Sequence, residues 1–251
     1  MPVTFVTSFI DLNLLEDFRV EDKKLSFYLE KSKLLLKYPY NFIIFVDKNT
    51  HQLLANEKQS NIEYIIVDIK DLPSYSILKD SVLPSFSSVG KDSYNFLILM
   101  ISKTFFIEKA IEYNPYKTDF FSWIDFGILK IVNHNELDIF SDSLKKINAY
   151  NQQKIRIPGC PFYINNIKDY SSNILFQQKD RPCWFFCGGF FTGDKRSLLE
   201  FSKEVNNTLY FLQEKKIITW EVNIWTFINF KNKNLFDVYY ADHNITMFSN
   251  F

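Results

Sequence analysis

The chain has 251 residues, enough for one large core or for a core with a small appended lobe. Of these, 47% are hydrophobic, with 27 Phe and 14 Tyr, and so much buryable surface excludes a disordered chain. Lys plus Arg equals Asp plus Glu at 29 each, which removes the electrostatic case for a nucleic-acid partner but leaves room for a small anion in a local pocket.

Residues 3–10 predict a first strand, and 16–37 a helix with Leu25, Tyr28, Leu29 and Leu34 near one face. Residues 41–47 (NFIIFVD) and 62–68 (IEYIIVD) predict two more strands, whose unbroken apolar character suits a sheet buried on both faces. The clearest helix spans 92–113, with Phe96, Leu99, Met100, Lys103, Phe106 and Ile107 near one face. Residues 119–131 (DFFSWIDFGILKI) read as a strand interrupted at Gly127, and 138–148 as a helix. Residues 155–182 read as irregular, and 183–191 (CWFFCGGFF) as a strand running into glycines. Asp194 is expected to cap a helix to about Gln213, and Thr219 to cap another through Phe230, before a last strand at 234–240.

Strands alternating with helices predict an α/β sheet sandwiched between helices. With no repeat and no low-complexity linker, residues 1–251 read as a single domain in which 148–182 has the character of a lid or small lobe. In such sheets ligands bind beyond the carboxyl ends of strands, where Asp47, Asp68 and Asp125 would stand on one rim. Cys160, Cys183 and Cys187 are odd in number and not at zinc-type spacing, so a reducing compartment fits. The start of the chain lacks the pattern of a signal peptide, and the most apolar stretch, 96–101, is too short to span a bilayer. The expectation is a soluble, cytoplasmic protein without a transmembrane segment.

Asp125, in WIDFG, is flanked by Trp123, Ile124 and Phe126, and a carboxylate there must be paired, hydrogen-bonded or bound to a cation. It reads equally as a ligand-facing acid or as a strand-end cap. Gly188 and Gly189 read either as room for a sugar or phosphate against bare backbone or as a bulge. Glu221 reads as a general base or as an acid favoured by a helix N-terminus. His243, beside Asp242, reads as a metal ligand or as a structural histidine. Lys103 either snorkels to the surface or points into the cleft toward a phosphate. The chain has no phosphate-binding glycine loop, HExxH, CxxC or GxSxG pattern.

Four segments, FVTSFIDLN, YNFLILMISKTFFIEKA followed by NPY, FFSWIDFGI and FFCGGFFTG, resemble the HtrL/YibB-type family of bacterial proteins from surface-polysaccharide loci. That family is similar to GT-A glycosyltransferases, so the resemblance implies a GT-A-like (Rossmann-like) mixed sheet flanked by helices. It implies sugar transfer from a UDP- or GDP-sugar to a hydroxyl of a glycan or other acceptor. Carried over, Asp125 matches the first acid of an Asp-x-Asp element that holds Mn²⁺ or Mg²⁺, and His243 resembles a late metal-ligating histidine. The third position is Gly127, not Asp, which removes a usual ligand. Thr7, Ser8 and Phe9 would approach the nucleotide, with Asp11 nearby. Asp47 would lie near the base or ribose, and Lys103 near the ribose or phosphates. Gly188 and Gly189 would flank the donor sugar, and Glu221 would accept the acceptor's proton. Lys195 and Arg196 would be available to the departing diphosphate if no metal binds. The missing second acid motivates an alternative, a non-catalytic nucleotide-sugar or glycan-binding protein that keeps the GT-A shape. A nucleotidyltransferase is a third reading.

Overall fold

The apolar runs become strands with both faces covered. In the computed structural model, which describes residues 2–15, 25–87, 92–168, 175 and 179–251, the described residues form β1 (Val3–Phe9), β2 (Asn41–Val46), β3 (Ile62–Ile66), β4 (Phe120–Ile124), β5 (Ile155–Gly159), β6 (Phe190–Asp194) and β7 (Phe236–Tyr240). These make one mixed α/β sheet in the order β3-β2-β1-β4-β6-β5-β7, in which only β6 runs against the rest. Strand alternation explains its two-sided core. Along β2, Phe42, Ile44 and Val46 enter one cluster and Ile43 and Phe45 the other.

The helices are α1 (Leu25–Leu35), α2 (Lys48–Leu54), α3 (Pro73–Leu78), α4 (Tyr94–Ile101), α5 (Lys103–Tyr113), α6 (Leu137–Asn148), α7 (Pro161–Asn166), α8 (Lys195–Glu214), α9 (Glu221–Lys231) and α10 (Thr246–Ser249). Residues from α4, α5, α8 and α9 line one core, and residues from α1, α6 and α10 the other. The result is a Rossmann-like arrangement of sheet between helices.

Several expected boundaries move, each for a local reason. The helix expected over 92–113 is two, because Ser102 leaves helical geometry (φ −77, ψ 2). Its hydroxyl bonds back to the Ile98 carbonyl at 2.8 Å, the kind of competing bond that bends helices. The strand expected over 119–131 stops at Ile124, and a 3₁₀ turn, Ile128–Ile131, follows. The strand expected over 183–191 instead begins after the glycines, and Phe186 makes only an isolated bridge to Gly159. Thr219 does not cap α9: its hydroxyl donates to the Lys179 carbonyl at 2.9 Å, and Trp220 occupies the cap position. Asp194 does cap α8, accepting from the Arg196 and Ser197 amides.

Residues 155–182, expected to be irregular, supply β5 to the sheet interior. Pro158 masks this strand in the sequence. Its carbonyl nevertheless accepts from the Cys187 amide at 2.9 Å, and the ladder to β6 is reduced to the Arg156–Thr192 pair. The proposed lid of 148–182 also contains 169–174 and 176–178, and the helix expected over 16–37 contains 16–24. Those parts lie outside the described residues.

Candidate functional site

One rim of the sheet collects the side chains with chemistry. Six parallel strands end there and the antiparallel β6 begins there. Asp11 therefore follows β1, Asp47 follows β2, Asp68 follows β3 and Asp125 follows β4 on a single edge. Cys160 follows β5, Gly188 and Gly189 precede β6, and His243 follows β7 on that same edge. The chain leaves β1 for β2 and β3 on one side and returns with β4 on the other. The crevice between β1 and β4 is thus the topological switch point, where open α/β sheets bind ligands, and Asp125 stands in it.

A buried ammonium organises this point. Lys103 is 1% exposed, and its Nζ donates to the Gly188 carbonyl at 2.8 Å. The same Nζ lies 3.1 Å from Asp125 Oδ1 and 3.1 Å from Glu221 Oε1. The Trp123 and Trp225 rings wall it at 5.8 and 5.9 Å. Burial alone would push the Lys103 pKa down, but the Asp125 and Glu221 carboxylates outweigh it and raise the pKa above the ordinary lysine value. Lys103 does not snorkel; it is the buried countercharge that Asp125 and Glu221 share.

The two acids differ in access. Asp125 Oδ1 also accepts from Trp123 Nε1 at 2.8 Å, so this oxygen is held twice. Oδ2 lies on the side of Gly189, where an added Cβ would come 3.5 Å from it. The Asp125 side chain is 28% exposed and that of Glu221 only 8%. With one cation against two carboxylates, the cluster keeps one net negative charge, carried toward solvent by Asp125. Gly188 is needed for packing: a Cβ there would stand 2.7 Å from Glu221 Oε1. The double glycine is therefore part of the acid cluster.

The aspartates after β1, β2 and β3 are mainly structural. Asp47 caps α2 by accepting from the Thr50 amide at 2.9 Å, and it also accepts from the Asp11 amide at 2.9 Å. Asp11 accepts from the Asn13 amide and Asp68 from the Lys70 amide. Between them lies an open groove of about 380 Å³, lined in part by Asp11, Asp47, Lys48, Asn49 and Asp68. Lys48 there has no helical or strand periodicity to distinguish it from other surface lysines, so sequence reading passed it over. Thr7 is fully buried within β1, whereas Ser8 and Phe9 are half-buried near the rim.

One sequence expectation is corrected by topology. Lys195 and Arg196 follow β6, the antiparallel strand, and so stand at the opposite edge from Asp125. Lys195 pairs there with Asp119 at 2.8 Å, at the start of β4. On the rim, His243 Nδ1 lies 3.8 Å from Cys160 Sγ and 3.4 Å from Asp242 Oδ1.

The residues present do not fit a cation held by an Asp-x-Asp element. At the third position, a Cβ on Gly127 would stand 2.8 Å from Tyr28 Cδ1, so the Tyr28 ring fills the space a second carboxylate needs. Tyr28 packs on Phe9, and burial first and the Asp125 charge second push its phenol pKa up. On the other side of Asp125, the Lys103 ammonium already sits 3.1 Å from Oδ1.

Farther along the rim, Cys160, Cys187 and His243 bring their ligand atoms within 4.8 Å of one another. The Cys160 and Cys187 sulfurs are 3.5 Å apart. The hydrogen bond from Cys187 pulls the Cys160 thiol down to about 6, while the same contact pushes Cys187 up; bonding to Cys160 raises His243. The sequence spacing concealed this group, because its members come from the ends of three strands that are neighbours only in space.

The family described as "Bacterial protein of unknown function (HtrL_YibB)" matches residues 87–251, a span that holds both clusters. No curated relative matches the chain. Among the described residues, no helix is long and apolar enough to cross a membrane.

Proposed function

The chain belongs to the HtrL_YibB family, and from the site it carries we propose that it is a glycosyltransferase acting on a nucleotide sugar. The observation that carries this reading is Asp125 at the switch point, with Oδ1 fixed by Lys103 and Trp123 and the side chain still 28% exposed. A rigid, partly exposed carboxylate suits a sugar, whose hydroxyls can bond to the acid. The expected place of the sugar against Gly188 and Gly189 is taken by Glu221, Val222, Ile128 and Met247, so the glycines serve packing instead. The groove over β1–β3 takes the nucleotide, and the exposed Lys48 is the cation in its lining available to the diphosphate. In the transfer, an acceptor hydroxyl oxygen bonds to the anomeric carbon as the bond from that carbon to the diphosphate oxygen breaks. The nucleoside diphosphate leaves with the electron pair, and the hydroxyl proton passes to a carboxylate. Access gives that role to Asp125, with buried Glu221 and Lys103 as positioning residues. The donor is a UDP- or GDP-sugar and the acceptor a glycan or other hydroxyl compound. The three free cysteines accord with a reducing cytoplasm.

A second reading, a binder that keeps the shape without turnover, is favoured by Tyr28 closing the place of the second acid. Thermal unfolding with UDP, GDP, CMP and their sugars, each with and without Mn²⁺, separates these from no binding at all. A ligand at 100 times its Kd stabilises by about 2.7 kcal/mol, roughly 5–11 °C for a domain of this size. A selective shift followed by release of nucleoside diphosphate, lost in Asp125→Asn, supports the transferase. A shift without turnover supports the binder. Full donor affinity and full turnover in Asp125→Asn would exclude this cleft.

A further inference from the structure

The cluster beyond β5 and β7 has no part in the proposed transfer and is argued separately from it. We propose that Cys160, Cys187 and His243 form a binding site for a thiophilic d¹⁰ metal ion of the zinc class, with its fourth position facing solvent. Bond lengths of about 2.3 Å to sulfur and 2.0–2.1 Å to imidazole nitrogen put tetrahedral ligands about 3.8 Å apart for sulfur–sulfur and about 3.5 Å for sulfur–nitrogen. Here Cys160 Sγ is 3.5 Å from Cys187 Sγ and 3.8 Å from His243 Nδ1. All three atoms lie within 4.8 Å of one another, and rotation of the His243 ring closes the widest gap. That ring is the ligand with freedom to turn, since its side chain is 42% exposed while both cysteines are buried.

The surroundings suit an ion entering from the His243 side. Trp184 meets the imidazole edge-on at 4.8 Å and walls one side of it. The Asp242 carboxylate, 70% exposed, has Oδ1 3.4 Å from Nδ1 and stands beside the open position. It supplies either the fourth ligand or a hydrogen bond to a bound water. Two thiolates and an imidazole select zinc or copper(I) over magnesium or manganese, which prefer oxygen. The site thus takes a different class of ion from the one an Asp-x-Asp element would hold. A Cys160–Cys187 disulfide is the competing use of the sulfurs. It would need them to close from 3.5 Å to about 2.05 Å, and it gives His243 no part.

The test is Zn²⁺ uptake by the full chain, stripped with a chelator and kept reduced, against a chromophoric competitor. We expect a single tightly bound Zn²⁺ per chain, weakened more than about 100-fold in His243→Gln and in Cys187→Ser. His243 is exposed enough for its variant to fold, which guards against loss of the buried-cysteine variant. With Co²⁺ as probe, a thiolate-to-metal absorption band should appear and vanish in Cys160→Ser. Equal Zn²⁺ affinity in His243→Gln, or no uptake by the reduced parent, would overturn the site. So would a chain lighter by two hydrogens after mild oxidation whose reduced form binds no Zn²⁺, which would leave a redox pair instead. Nucleotide binding and Asp125→Asn play no part in these readouts.

Discussion

The two clusters on the rim, one after β4 and one after β5 and β7, solve the problem of buried polarity in opposite ways. At Asp125, an ammonium with 1% exposure is shared by two carboxylates among tryptophan rings, a cluster of full charges held by ion pairing. At Cys160, two thiols and a half-exposed imidazole bond to one another, and the raised His243 is the counterion of the easily ionised Cys160. The first cluster is therefore part of what holds the fold. Removing Lys103 should be costly in the first, and removing the exposed His243 nearly silent in the second.

The largest expected effect is Lys103→Met, which keeps an apolar stem between the two tryptophans but strands Asp125 and Glu221. Breaking a buried pair from one side costs about 3–5 kcal/mol, so melting should fall by roughly 6–20 °C. Because the Lys103 pKa is raised on folding, its contribution is fully present below the unfolded lysine value of 10.5 and fades as pH climbs through the folded value. The gap between parent and variant should therefore hold through neutral pH and narrow only under alkaline conditions, as equilibrium denaturation can show. A variant as stable as the parent would mean that the ion cluster is not what holds α5 to the rim.

Gly188→Ala comes next. The new methyl would stand 2.7 Å from Glu221 Oε1, so the acid must move away from Lys103. Overpacking of this kind costs about 1–3 kcal/mol. Gly127→Ala should cost a similar amount by pressing on Tyr28, yet without disturbing the Lys103 contacts. Comparing the two variants for donor binding tells whether Glu221 must keep its place for the site to work. Equal melting of parent and Gly188→Ala would show that the acid has room to move.

How much of this was legible beforehand follows from distance along the chain. β1, β2, β3 and the cap at Asp194 are local patterns of apolar runs and a capping aspartate, and they read directly. β5 did not, because Pro158 breaks the strand signal and the partners that make it a strand come from β6 and β7. Asp125, Glu221, Lys103, Gly188 and Gly189 could each be picked out by residue type. Their mutual contact could not, since Lys103 and Glu221 are 118 residues apart. The same limit explains Lys195, whose wrong edge follows from β6 running backwards, and Cys160, whose partners lie 27 and 83 residues away.

The smallest expected effect is the sharpest check on the contrast. In the metal-free protein, His243→Gln removes an exposed imidazole that packs on Trp184 and touches Cys160 at 3.8 Å. The raised His243 pKa makes its contribution fade as pH rises through the folded value. Above it, substitutions at such positions change stability by less than about 0.5 kcal/mol, so parent and variant should melt together in chelator at mildly alkaline pH. With Zn²⁺ the parent alone should gain, since a ligand that binds only the folded state stabilises it in proportion to occupancy. If His243→Gln instead melts well below the parent in chelator, the imidazole is holding the ends of β5 and β7 together. The soft cluster would then be as structural as the charged one, and the contrast between the two halves of the rim would fall.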